Sequence, residues 1–133
     1  MVDGTAFPAA IDEAYRLRTA GDKAALTAHL APDAQFQLMG DATLMPGVAT
    51  GPGRAAPSVE ALIDTFVFHR IERLNAILEG DQAAVHSRLT VSRPGGPPVV
   101  TEIYDLWNMG ADGKLASLLR FVDTALVARM MGA

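Results

Sequence analysis

The residues of this chain best suited to proton-transfer or oxygen-binding chemistry are an aspartate and an arginine near its end, Asp105 and Arg120. Asp112-Gly113, flanked by apolar runs, is typical of a two-residue β-hairpin turn. With that turn, Asp105 lies directly opposite Arg120 on the paired strands. Cross-strand neighbours are close enough to touch, so we expect the carboxylate and the guanidinium to pair.

The surroundings of this pair give it two interpretations. The same register places Trp107 opposite Leu118, and the neighbouring positions on that face are apolar. A charged pair in an apolar surround is either a structural salt bridge or the polar floor of a pocket, because buried charges need partners in both cases. As the floor of a pocket, Asp105 and Arg120 are candidate catalytic residues.

Composition limits the classes of function open to the chain. Its 133 residues, half of them apolar and a fifth charged, predict one globular domain over residues 1–133. The formal net charge of −4, with no cluster of Lys or Arg, argues against nucleic acid as a partner. No apolar run approaches membrane-spanning length, so we expect a cytoplasmic protein without a membrane partner. The absence of Cys excludes disulfides and thiol chemistry.

Helical patterns dominate the first half of the chain. Apolar residues recur at helical spacing up to Ala20, and Gly21 follows as a stop. Asp22 and Ser58 are residue types that cap helix N-termini. The predicted elements are helices over Ala6–Ala20, Asp22–Leu30 and Ser58–His69, with a strand over Ala34–Met39 before the third helix.

A segment rich in Gly and Pro, Gly40–Pro57, separates that strand from the third helix and predicts a long loop. Loops of this length in compact domains are often lids or binding elements. Asp41 in this loop is either a solvated side chain or a general base that reaches the pocket.

The second half of the chain favours strands. Turn signals at Gly80-Asp81 and in the Pro-rich segment 94–98 separate three long apolar stretches. They predict strands over Arg70–Glu79 and Ala83–Arg93, then the last hairpin, then a short helix over Ala125–Met131. Helices first and antiparallel strands afterwards indicate an α+β domain with helices on one face of a curved sheet.

Both faces of the last hairpin are apolar. The face opposite to Asp105 carries Tyr104 across from Phe121 and Leu106 across from Leu119, whereas a sheet exposed on one side alternates with polar residues. Helices cover only one face of such a sheet. We therefore expect a homodimer through the outer sheet face.

Two blocks of sequence resemble the NTF2-like superfamily, and in particular its SnoaL-like and ketosteroid isomerase-like branches. They are AGDKAALTAHLAPDAQF, Ala20 to Phe36, and EIYDLWNMGADGKLASLLRFVDTA, Glu102 to Ala125. The resemblance implies a cone-shaped NTF2-like (cystatin-like) α+β fold, with three N-terminal helices on a curved, mostly antiparallel sheet. It also implies a pocket inside the cone and a dimer through the outer sheet face. Because this fold hosts isomerases, cyclases, dehydratases and noncatalytic members, it implies no single function.

The resemblance carries over unevenly to single residues. Asp105 matches an aspartic acid that is protonated in the isomerases and donates a hydrogen bond to the substrate oxyanion. Their catalytic base aligns with Leu38, and their oxyanion tyrosine aligns with Ala14, one residue before Tyr15. A small residue of the isomerases aligns with Arg120. An adjacent cation favours the ionised carboxylate, so we expect Asp105 to be charged, and steroid isomerase activity is disfavoured.

Three further polar residues have plainer interpretations. Asp123 is expected to cap the last helix, although some SnoaL-like proteins carry an inward acid there. His69 at the end of the third helix is either a base at the pocket mouth or a partner of the helix dipole. His86 alternates with apolar residues and is expected to face outward.

These patterns lead to a hypothesis of a protein that binds a hydrophobic small-molecule ligand and performs cofactor-free isomerisation, cyclisation or (de)hydration. The candidate pocket residues are Trp107, Phe66, Tyr15, His69, Leu38, Leu89 and Leu118. The Tyr15 hydroxyl either points into the pocket or lies at the helix border. Three scattered His without ligand spacing predict no metal site. The alternative, a noncatalytic NTF2-like binding or dimerisation domain, is favoured by Leu38 in place of the base.

Overall fold

The computed structural model describes residues 6–40, 45, 47–48 and 51–132. Four helices and five strands are present in these residues. In chain order they are α1 (Ala6–Ala20), α2 (Lys23–Thr27), β1 (Leu30–Leu38), α3 (Ala55–Thr65), β2 (Val67–Glu79), β3 (Gln82–Ser92), β4 (Val99–Met109), β5 (Leu115–Phe121) and α4 (Thr124–Met130).

The strands form one open, mixed sheet with the order β1-β5-β4-β3-β2. β1 runs parallel to β5, whereas the other three pairings are antiparallel. α1 contacts β2 and α2, and α3 contacts β1 and α2, so these three helices cover one face of the sheet. The predicted α+β class, with helices on one face of a mostly antiparallel sheet, is confirmed.

Alternation along the strands divides the sheet into an inner and an outer face. The buried apolar residues of β3 and β4 are Ala83, Val85, Leu89, Val91, Ile103, Trp107 and Met109. The intervening residues face outward and include exposed apolar side chains, with Val100 65%, Tyr104 51% and Phe121 48% exposed. Together with the helices, the inner face builds the hydrophobic core.

The helix caps were partly predictable. The Asp22 carboxylate accepts a hydrogen bond from the Ala25 backbone N at 3.1 Å, and Gly21 before it has a φ of +72°, which favours glycine. Asp123 likewise accepts from the Leu126 backbone N at 3.1 Å and begins α4. Both predicted caps are confirmed.

The third helix lies earlier in the chain than predicted. α3 begins at Ala55 and ends at Thr65, and Ser58 is fully buried within it, so its predicted role as the cap was wrong. The backbone of Phe66 is extended, with φ −130° and ψ 129°, and leads directly into β2. Aromatic and β-branched residues from there onward favour a strand. His69 consequently lies on β2 and not at a helix end.

The second helix ends at Thr27, and β1 starts at Leu30, four residues earlier than predicted. Pro32, a residue type that ends helices, lies within β1. An edge strand tolerates proline because it pairs on one side only, and the pairing with β5 is interrupted between Leu30 and Gln35.

The last hairpin has the predicted register but a longer turn. β4 ends at Met109 and β5 begins at Leu115, so the two-residue loop was wrong. A type I′ turn needs a positive φ at both central residues, and here Gly113 has one (+78°) whereas Asp112 does not. The Asp112 carboxylate instead accepts from the Lys114 backbone N at 3.0 Å. A register shift at the end of β4 accommodates the longer loop.

Candidate functional site

The predicted pair of Asp105 and Arg120 forms at the centre of the inner face. The two residues are register partners on β4 and β5, which confirms the predicted alignment. Arg120 Nε donates to Asp105 Oδ1 at 2.7 Å, and Nη2 donates to Oδ2 at 2.9 Å. Asp105 is 1% exposed and Arg120 is 8% exposed. A two-bond fork of this kind fixes the plane of the guanidinium and raises the pKa of Arg120 against the opposing effect of burial.

Two aromatic residues extend this pair into a buried network. Trp107 Nε1 donates to the Tyr15 hydroxyl at 3.0 Å, and that hydroxyl donates to Asp105 Oδ2 at 2.6 Å. The two rings meet edge to face, with centroids 5.8 Å apart. The Tyr15 hydroxyl therefore points inward, which decides between the two orientations left open by the sequence.

The Tyr15 phenol is expected to stay protonated in alkaline solution. Burial, and then the nearby Asp105 carboxylate, raise the pKa of Tyr15 well above its ordinary value. In an absorbance titration at 295 nm, we expect wild type and Tyr15→Phe to show the same phenolate signal up to roughly pH 11, one unit above an ordinary tyrosine. A smaller signal in Tyr15→Phe over that range would contradict a buried, hydrogen-bonded phenol.

This raised pKa also has a consequence for stability. A tyrosine whose folded pKa exceeds its unfolded pKa binds its proton more tightly in the folded protein. The stability it contributes is complete below the unfolded pKa, about 10, and declines as pH rises above it.

A second buried arginine, Arg18 on α1, lies beside this network and was not among the predicted site residues. Its Nη2 donates to the backbone oxygens of Leu62 at 3.0 Å and Phe66 at 2.8 Å. Its guanidinium carbon lies 3.7 Å from the centroid of the Phe68 ring, a cation–π contact. Burial, and then the charge of Arg120, lower the pKa of Arg18 to about 9, so it remains charged at neutral pH.

A signal for Arg18 was present in the sequence. Ile11, Ala14, Tyr15 and Arg18 follow the i, i+3, i+4, i+7 spacing of one helix face, and all four are buried. A charged residue on the apolar stripe of a helix indicates a buried charge, and a buried charge needs partners inside the protein.

In the described part of the chain, two interior cavities share three lining residues, Arg18, Leu62 and Arg120. The first cavity has a volume of about 50 Å³, and the second of about 40 Å³. Apart from the two arginines, their walls are predominantly apolar. A site of this kind, with few polar groups in an apolar surround, is typical of small-molecule binding.

The cavities bring together most of the predicted pocket residues. Phe66, Leu38 and Leu89 line the first, and Tyr15, Trp107 and Leu118 line the second. These lining residues come from β3, β4 and β5 as well as from β1, α1 and the residue that follows α3.

Two of the predicted site residues line neither cavity within the described part of the chain. Asp105 lies behind Arg120 and Tyr15, with both oxygens engaged by them. His69 is exposed on β2, and its Nε2 lies 2.8 Å from Ser92 Oγ. A base at the end of α3 is therefore not found, because the chain has already left the helix.

The other candidate acids and bases lie in different parts of the protein. Asp123 lines the first cavity while it caps α4. His86 faces outward, stacked on Tyr104 at 4.3 Å with its Nε2 2.5 Å from Glu102, as predicted for an outer-face residue. Asp41 lies outside the described residues.

Within residues 6–40, 45, 47–48 and 51–132, no three His, Asp or Glu side chains converge to hold a metal ion. None of the helices in this part of the chain combines the length and apolar character needed to cross a membrane.

Sequence comparison decides the family. The sequence model of the SnoaL-like domain matches residues 11–118, most of the chain. The chain belongs to the SnoaL-like family. This confirms the resemblance seen in the two sequence blocks. Comparison of the SnoaL-like chain with curated protein sequences finds no match.

Solved structures agree with this assignment at the level of fold. The SnoaL-like chain is similar to an NTF2-like protein of unknown function from Burkholderia pseudomallei K96243, with a TM-score of 0.79 and 17% identity over 96% of this chain and 98% of that one. It is also similar to TerC, which was co-crystallised with polyporic acid. The TM-score is 0.78, with 16% identity over 96% of this chain and 99% of TerC.

A third similar structure is the epoxide hydrolase/cyclase-like enzyme SalBIII, which has a role in pyran ring formation in the polyether salinomycin. The TM-score is 0.70, with 19% identity over 94% of this chain and 96% of SalBIII. Likeness at such identities shows the fold alone. The predicted NTF2-like cone is confirmed by these neighbours together with the five-stranded open sheet.

Proposed function

We propose that this SnoaL-like protein binds a small, largely apolar molecule in its interior and catalyses cofactor-free isomerisation, cyclisation or (de)hydration. The observation that carries the proposal is the position of Arg120. Its guanidinium is held in a fixed plane by Asp105, yet it lines both apolar cavities. A fixed cation in an apolar cavity stabilises negative charge that develops on a substrate oxygen.

The roles of the pair follow from this arrangement. Arg120 faces the ligand and polarises a carbonyl, enol or epoxide oxygen. Asp105 acts through Arg120 as a positioning residue, because both of its oxygens are engaged and it is 1% exposed. Tyr15 and Trp107 hold Asp105 in place through their two hydrogen bonds.

Proton transfer also needs an acid or base at the ligand. Among the described residues that line the two cavities, Asp123 is the sole carboxylate. Its Oδ1 caps α4, which fixes the side chain next to the first cavity. Asp123 is therefore our candidate for general acid/base catalysis.

Two structural neighbours give precedents for this type of ligand and reaction. TerC was crystallised with polyporic acid, and SalBIII is described as epoxide hydrolase/cyclase-like. Both support small-molecule chemistry in this fold without specifying the substrate of this chain.

The proposal is tested by a thermal-shift screen of small aliphatic ketones, enols and epoxides, followed by dissociation constants for the hits. Wild type is compared with Asp105→Asn/Arg120→Met, which removes both charges together so that neither is left buried alone. Loss of a charge-assisted hydrogen bond weakens binding about tenfold or more. Arg16→Met, which removes an exposed guanidinium on α1, is the matched control. Equal affinity in wild type and the double variant would contradict the proposal.

A noncatalytic binding protein is the second candidate, and Leu38 is the observation that favours it. Leu38 lines the first cavity at the position of the isomerases' base, and it carries no titratable group. Mass spectrometry of each hit after incubation with the protein separates the two candidates. Conversion that is lost in Asp123→Asn supports catalysis, whereas binding without conversion of any hit supports the noncatalytic candidate.

We also propose that the outer sheet face binds a second copy of this chain. Exposed apolar side chains on this face, including Tyr104 and Val100, lie among charges of both signs such as Arg88 and Glu102. A twofold dimer places such a face against itself, so that apolar groups are buried and opposite charges meet.

Charge placed on this face is expected to separate the dimer. Light scattering of wild type should give the mass of two chains, and Val100→Lys/Tyr104→Lys should give the mass of one. Glu60→Lys, on the exposed side of α3, should leave the dimer intact. A monomeric wild type at micromolar concentration would overturn this proposal.

A further inference from the structure

Arg18 is a buried cation without a carboxylate partner among the described residues. It is 6% exposed, and its two hydrogen bonds go to neutral backbone oxygens. Its buried Nε has no hydrogen-bond partner within the described part of the chain. Backbone oxygens and the face of Phe68 solvate the guanidinium but do not neutralise it.

A second cation nearby makes the charge imbalance larger. The guanidinium carbons of Arg18 and Arg120 lie 3.7 Å and 6.0 Å from the centroid of the same ring, Phe68. Asp105 neutralises Arg120 only. The buried charged side chains of the described residues are therefore two arginines and one aspartate, a net charge of one positive unit. An uncompensated charge in an apolar interior is costly, and a bound anion removes that cost.

The first cavity has the size and lining for such an anion. One water molecule needs about 10–15 Å³ of cavity volume. The first cavity, at about 50 Å³, therefore holds roughly four non-hydrogen atoms. Arg18 and Arg120 both line it, and Leu38 and Phe66 form apolar walls. The Asp123 carboxylate also lines it, and its Oδ1 accepts the hydrogen bond from the Leu126 backbone N that caps α4. A carboxylate with a short apolar body matches both features.

We propose that the ligand of this protein is a small organic acid, whose carboxylate accepts a hydrogen bond from the Arg18 guanidinium within the first cavity. The acid group at Arg18 anchors the molecule and leaves Arg120 for the reacting oxygen. Phe66 and Leu38 contact its apolar part. This rests on the proposed function, because the acid occupies the same cavities. It narrows the proposed ligand class from largely apolar molecules to those that carry a carboxylate.

Nuclear magnetic resonance of the full chain tests this proposal with two probes of equal shape, acetate and acetamide. At neutral pH and constant ionic strength, acetate is expected to shift the Arg18 Nε–H resonance. Its dissociation constant should be about tenfold or more below that of acetamide, the effect of one charge-assisted hydrogen bond. The preference for acetate over acetamide should disappear in Arg18→Gln and should be partly retained in Arg18→Lys. Arg16→Gln, a substitution of an exposed arginine on the same helix, should leave it unchanged.

Each other outcome overturns a defined part of this account. If acetamide binds inside as tightly as acetate, the anionic ligand class is wrong and the proposed small-molecule site stands. If acetate binds equally well to Arg18→Gln, the carboxylate does not contact Arg18. If neither probe perturbs any interior resonance while small neutral ketones do, the organic acid is again excluded. If no small molecule perturbs the interior, the proposed function fails as well.

Discussion

Replacing Asp105 by asparagine is expected to lower the free energy of unfolding by about 3–5 kcal/mol. The substitution keeps the shape of the side chain and an acceptor for the Tyr15 hydroxyl. It removes the charge that neutralises Arg120, which then lies buried near Arg18 with no anion beside it. Urea unfolding at neutral pH measures the effect.

A double variant separates the charge from the packing. Asp105→Asn/Arg120→Met should recover most of the loss, because removing both members of a buried pair is often neutral or stabilising. Glu13→Gln breaks an exposed pair with Arg16 and should leave the unfolding midpoint unchanged. A free energy of unfolding for Asp105→Asn within about 1 kcal/mol of the wild-type value would mean that Asp105 is not the group that neutralises Arg120.

Leu62→Ala is expected to cost about 2–5 kcal/mol and to join the two cavities. Leu62 is 6% exposed and, with Arg18 and Arg120, it lines both cavities. Its removal deletes buried methyl groups and leaves a larger apolar space. The added volume is bounded by apolar side chains and accepts small apolar molecules, so benzene should raise the melting temperature of Leu62→Ala more than that of wild type.

Leu78→Ala is the matched control for this substitution. It removes the same groups from a side chain that is 46% exposed on β2, and should change the free energy of unfolding by no more than about 0.5 kcal/mol. If Leu62→Ala behaves like Leu78→Ala, then Leu62 does not form the partition between the cavities.

The parts of the fold that follow local rules were predictable from the sequence. Alternation of apolar residues and the turn at Gly80-Asp81 located β2 and β3 within three residues of their observed bounds. The apolar runs around Asp112-Gly113 gave the correct partner of Asp105 even though the turn itself is longer. Register is strongly specified where one face is buried, so it survives an error in the loop.

The errors came where tertiary context outweighs a local signal. Ser58 is a good cap residue, yet it lies inside α3 because the helix begins before it. Pro32 ends helices in general, yet it lies in β1 because an edge strand accepts it. Neither outcome depends on the residue alone, because the start of α3 and the position of β1 at the sheet edge are set by tertiary packing.

In the candidate site, the pair of Asp105 and Arg120 was predictable from the sequence, whereas the second buried cation, Arg18, was not predicted. Asp105 and Arg120 were found because a turn places them opposite each other. Arg18 belongs to α1, whose distance from β4 and β5 is set by the packing of the helix on the sheet. Its position on an apolar stripe was the available signal, and the backbone oxygens that hold it come from the end of α3.

The central claim is that a small molecule binds inside the fold with an oxygen on Arg120. A crystallographic fragment screen of the full chain tests it most directly. We expect fragments in the cavities lined by Arg18, Leu62 and Arg120, with a fragment oxygen within hydrogen-bond distance of the Arg120 guanidinium. Fragments that bind only outside these cavities, with Arg120 contacting none of them, would contradict the claim.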